Sequence, residues 1–133
     1  MNGPILYGIR AALIATGSLD DVTDWYHAQG PGDAVAPYGI IQIAAGGDLN
    51  DNPCEEVDED WIVKIVDTDA ARAMTLGDAI RTALHKTTYA LGAGWTLYDS
   101  EHSGPPFFYA ENVEKGQRWH AGSTYRIRAS KDR

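Results

Sequence analysis

The chain has a single cysteine, Cys54, which excludes an internal disulfide and a multi-cysteine zinc site. No apolar run approaches the roughly 20 residues that a membrane-spanning helix needs. The N-terminus lacks a basic stretch followed by an apolar segment and a small-residue cleavage site. Export by a signal peptide is therefore not expected, and a cytosolic folding compartment fits. Positive charge is scarce: 11 Lys and Arg stand against 19 Asp and Glu, a net charge of -8. That balance argues against a nucleic-acid binder, because phosphate binding draws on Lys and Arg.

Catalytic motifs are missing as well. Gly46-Gly47 ends an apolar run, as the start of a phosphate-cradling loop would, but DLNDNPCEEVDED follows. That segment carries Pro53, opens no helix and would surround a phosphate with carboxylates, so neither a dinucleotide fingerprint nor a P-loop is present. There is no G-x-S-x-G elbow. His27, His85, His102 and His120 lack metal-ligand spacing such as H-E-x-x-H. The acidic neighbourhood of Cys54 disfavours a thiolate nucleophile. Asp99, Glu101 and His102 form an acid–base trio of a kind that any small protein offers. No catalytic residue and no cofactor is assigned. For metals, Asp48, Asn50, Asn52 and Glu59 match positions 1, 3, 5 and 12 of a calcium-binding EF-hand loop. Pro53 replaces the glycine of the sharp turn and strands flank the segment, so this is a weak calcium-like pattern and no metal is assigned.

What is present describes one globular domain spanning residues 1–133, with 44% hydrophobic and 23% charged residues. Pro4 to Thr16 reads as a helix, with Ile5, Leu6, Ile9 and Leu13 at helical spacing and Gly17 as its stop. Val22–His27 is a short strand, and Gly30–Asp33 is a loop. Tyr38–Ala45 and Asp60–Asp67 are strands, the latter with Trp61, Val63 and Ile65 on one face. The intervening segment from Gly46 to Asp60 reads as a mobile acidic loop. A helix capped by Thr68 or Asp69 follows, with Ala73, Gly77, Ile80 and Leu84 as its apolar stripe, fraying near His85-Lys86. Thr87–Gly94 connects it to a strand over Trp95–Ser100, which Ser103-Gly104-Pro105-Pro106 ends. Phe107–Tyr109 is a short edge segment. The last strand alternates Trp119, Ala121, Ser123, Tyr125 and Ile127 against Arg118, His120, Thr124, Arg126 and Arg128, before a loose tail over 130–133. The fold class is α+β: a mainly antiparallel sheet with two helices packed on one face.

Charge is sorted along the chain. Acids crowd Asp48 to Asp69 against the lone Lys64, and bases crowd Lys115 to Arg133 against the lone Asp132. Side-by-side packing of copies, acidic flank to basic flank, would use this asymmetry. The four tryptophans fall in four different strands, and at least one of them is expected at a subunit contact, where Trp is enriched. The candidate interface is Asp58, Glu59 and Asp60 on one side and Trp119, Arg126 and Arg128 on the other.

This order of features resembles the tail-terminator (tail-completion) family of long-tailed bacteriophages. The matching parts are Ile5–Ala15, Val22–Tyr26, Ala36-Pro37-Tyr38 leading into Ile40–Ile43, Asp60–Val66, Ala70–Leu84 and Arg118–Arg128, with DAARAMTLGDAIRTALHK the nearest match. The resemblance implies a structural virion protein that forms a ring, usually a hexamer, capping the tail tube and presenting the surface to which the head or neck attaches. It implies as partners copies of itself, a tail-tube protein and a head or neck completion protein. DNA would pass through without specific binding, and no membrane is involved. The protein would be made in the host cytoplasm and reside in the virion, at the head-proximal end of the tail. The alternatives are another head–tail connector, neck adaptor or tail-tube subunit, or a small enzyme or calcium-binding domain.

Overall fold

Strict alternation from Glu56 to Asp67 builds the layers of the molecule. Val57, Glu59, Trp61, Val63, Ile65 and Asp67 are buried on one side of that strand, beneath two helices. The computed structural model describes residues 3–48, 56–114 and 116–132, without the side chains of 45–48. In chain order these form α1 (Gly3–Ile14), a 3-10 turn (Gly17–Leu19), β1 (Trp25–His27), β2 (Tyr38–Asp48), β3 (Glu56–Asp67), α2 (Ala70–Leu84), β4 (Trp95–Val113) and β5 (Gly116–Lys131). The sheet order is β1-β2-β3-β5-β4, antiparallel throughout except for the short parallel pair β1–β2. The molecule is an α+β domain, as its periodicities predict.

The core lies between the sheet and the helices. Ile5, Ile9 and Leu13 of α1 and Ala73, Leu76, Ile80 and Leu84 of α2 close over Trp61, Tyr125 and Ile127. Asp69 caps α2, its carboxylate accepting from the Arg72 amide at 3.0 Å. Gly77 lies in the stripe because α2 crosses β5 closely there: a Cβ at this position would sit 3.2 Å from the Cβ of Ala121. Leu76 belongs to the buried face, although the sequence-read stripe omits it. A second small cluster, Tyr38, Ile40 and Val66, lies on the helix-free face, with Tyr26 and Ala34 packed against it.

Three expectations about extent are corrected. The segment read as a mobile loop from Gly46 is paired at both ends, since Gly46, Gly47 and Asp48 oppose Glu59, Asp58 and Val57. Residues 49–55 lie outside the described residues. Ser103–Pro106 does not end a strand. β4 absorbs it through a register shift between Ser103 and Phe107, with Gly104 at φ +77. Edge strands tolerate proline because the missing N–H faces no ladder partner. Finally, β5 continues through Ser130 and Lys131, and the Asp132 amide donates to the Gly94 carbonyl at 2.8 Å.

Candidate assembly surface

The helix-free face of the sheet carries most of the proposed interface residues, and the strand registers explain how they meet. Asp58 and Asp60 of β3 lie opposite Arg128 and Arg126 of β5. The ion pair forms on the diagonal. Arg126 donates through Nε to Asp58 Oδ1 at 2.8 Å and through its terminal nitrogen to Oδ2. That bidentate bond holds the Asp58 carboxyl below its ordinary value, against an opposing effect of burial. Arg128 turns the other way, to Asp99 of β4 at 3.1 Å, and lies over the Tyr98 ring. Arg126 and Arg128 are thus already engaged within the chain.

Glu59 occupies the opposite face. Only 1% of its surface is exposed, and it accepts from the Trp61 indole at 3.1 Å. This burial places Glu59 in the interior and off the surface, unlike the other residues of the candidate interface. In the calcium-like pattern, Asn50 and Asn52 lie outside the described residues, as does the side chain of Asp48. Among the described residues no cluster of three or more His, Cys, Asp or Glu is placed to hold a metal.

At the far end of the same face sits an aromatic group. The His120 ring stacks on Tyr109 with centroids 4.6 Å apart, and its Nε2 lies 3.2 Å from the Glu111 carboxylate. Lys64 reaches the Tyr109 hydroxyl at 3.2 Å. Burial, reinforced by Lys64 and Arg118 and opposed by Glu111, holds the His120 pKa below its ordinary value. On the helix side, Trp119 is half-buried and stacks on the exposed Phe108 at 5.2 Å. Together with Met74, Phe108 marks the mouth of a cavity of about 140 Å³ between α2 and β4. Of the four tryptophans, Trp25 and Trp61 are core, while Trp95 and Trp119 are half-buried.

Asp99, Glu101 and His102 do not converge. Asp99 and Glu101 lie on the helix-free face in register with Arg128 and Arg126, while His102 pairs with Tyr125 on the helix side. The structure shows a contact that sequence spacing missed, between His102 Nε2 and Ser123 Oγ at 2.9 Å. Ser123 is 4% exposed, and burial followed by Arg81 and His85 depresses the His102 pKa. The His102 amide in turn donates to His85 Nδ1 at 2.9 Å. Among the described residues no carboxylate is bonded to His102 to orient it. The pair ties β4 to β5 and to the end of α2.

No protein-family model matches the chain, and no curated protein sequence does so either. A chain in the solved structure of the virion of a native gene transfer agent particle shares the fold, with a TM-score of 0.68 over 96% of each chain at 19% identity.

Proposed function

We propose that this chain is a non-catalytic structural subunit of a phage-like virion and that, as the tail-terminator resemblance implies, it closes into a hexameric ring. The ring caps the tail tube at the head-proximal end and presents the surface that receives the head or its neck proteins. DNA passes through it without specific binding. The observation that carries this reading is the fold shared with a gene transfer agent virion chain, which extends over almost the full length of both. The sequence order of leading helix, Pro-Tyr strand, alanine-rich helix and late antiparallel strands supports the finer assignment. Ring closure needs two different patches on one subunit, and a sheet whose two edge strands differ supplies them.

The test is mass by light scattering across a concentration series, with negative-stain imaging of the heaviest species. Hexamers of the 14.5 kDa chain, imaged as single closed rings, are expected. Stacked tubes would instead favour a tail-tube subunit. A mass that stays at one chain throughout would overturn the ring.

A further inference from the structure

One rung crosses the whole sheet: Trp25 of β1 lies level with Gly39, Ile65, Ala121 and, at the far edge, Phe108 of β4. Each end of that rung carries a hollow on the helix side. At the β1 end, a groove of about 330 Å³ lies between α1 and the chain entering β1, lined by Ile14, Val22 and Trp25 together with Arg10, Asp20 and Asp24. At the β4 end, the cavity of about 140 Å³ is lined by Met74, Phe108 and Ala121 together with Asp78 and Arg81 of α2. Large apolar side chains meet solvent at both ends. Ile14 is 53% exposed at the groove, and Met74 and Phe108 are 52% and 41% exposed at the cavity. Further along β4 the edge is closed to an added strand, because the Lys86 amide donates to the Ser100 carbonyl at 2.6 Å and the His102 amide to His85 Nδ1 at 2.9 Å. Side chains, rather than that stretch of backbone, are what this edge presents.

We propose that the two ends of this rung meet between neighbouring copies, Phe108 and Met74 of one subunit seating in the Ile14–Trp25 groove of the next. This contact rests on the ring proposed above and identifies the patches that close it. Rotation about an axis along the strands preserves height, so patches at equal height, on opposite edges and on one face, are what ring closure requires. Size agrees. A cavity of roughly 150 Å³ holds a benzene ring, so the groove has room for the Phe108 ring and the end of Met74. An aromatic anchor that fills a partner's pocket is where binding energy concentrates. Charge agrees as well. In the groove Arg10 holds Asp24 at 3.1 Å, whereas Asp20, Asp78 and Arg81 form no ion pair among the described residues. Docking gives Asp20 the cation it lacks, Arg81, and Asp78 finds Arg10 in the same groove.

Ile14→Cys and Phe108→Cys, each in a Cys54→Ala background, test the contact. From Trp25 to Phe108 the rung crosses four strand spacings, roughly 19 Å, so the two hollows lie beyond the ~7 Å that a disulfide spans within one subunit. Oxidation of an equal mixture should link the two variants to each other and neither to itself. Links between identical variants, or no links while the wild type forms rings, would overturn the docking and leave the ring standing. A wild type that never assembles overturns both. Charge reversal reads the same contact without touching its apolar groups. Asp20→Arg or Arg81→Asp alone should leave the thermal melt unchanged, because both side chains are exposed, and raise the concentration needed for assembly at least about tenfold. The double variant should recover most of that loss. Single variants that assemble like the wild type, or a double variant no better than either one, would also overturn the docking.

Discussion

Asp67 shows how one buried charge is held. Its side chain is fully buried, and burial alone would push the carboxyl upward. Donation from Arg72, at 2.6 Å and 2.7 Å, and from the amides of Asp69 and Thr68 outweighs that penalty and leaves the pKa below the ordinary 3.8. A carboxyl depressed by folding contributes stability above its unfolded pKa and loses it as pH falls through the folded value. Asp67→Ala leaves two amides at the start of α2 without their acceptor, which should cost about 1–3 kcal/mol at neutral pH. Urea unfolding of both proteins measures this, and the gap should narrow as pH drops below 3.8. A gap that stays constant as the pH is taken well below 3.8 would mean that the carboxylate's charge contributes nothing.

Elements with strong local signals were legible in the sequence, while those made by pairing were not. A cap at Thr68 or Asp69, the apolar spacing of α2 and the alternation of β5 are local properties of their own segments, and both elements form there, with Asp69 as the cap and β5 running further than read. The ends of β2 and β3 are not: a glycine pair and a run of acids have poor strand propensity, and cross-strand partners override it. The pairs Arg126–Asp58 and Arg128–Asp99 were hidden for the same reason. The alternation Glu56, Asp58, Asp60 was visible, but only the register brings it against β5. Gly122 is a position where two elements meet with no room. A Cβ there would lie 2.6 Å from the Lys64 Cα, in addition to meeting the Val63 carbonyl, and backbone cannot step aside as a side chain does. Gly122→Ala should therefore force β3 and β5 apart, at about 1–3 kcal/mol or more. Gly77→Ala is the control, because it meets mainly the Ala121 methyl at 3.2 Å and gains about 1 kcal/mol of helix propensity. Thermal melts should show a clear loss for the first and little change for the second; equal losses would contradict the backbone argument.

At the scale of the molecule, net charge of -8 combines with a strand, β5, in which Arg126 and Arg128 are already paired with carboxylates. The C-terminal concentration of Lys and Arg looked like a free basic flank in the sequence. In the fold, Arg126 is consumed by Asp58 and Arg128 by Asp99, while Asp60 and Glu101 stand beside Arg126. Such a surface offers a phosphate backbone few free cations and many repelling carboxylates. Affinity for duplex DNA rises with the number of phosphates neutralised, and so does its salt dependence. Weak binding with little salt sensitivity is therefore expected from the protein. Fluorescence anisotropy with a labelled duplex at low and at physiological salt checks this. Submicromolar affinity at physiological salt would mean that cations outside these two pairs form a continuous track, and would count against the proposal that DNA passes the protein without specific binding.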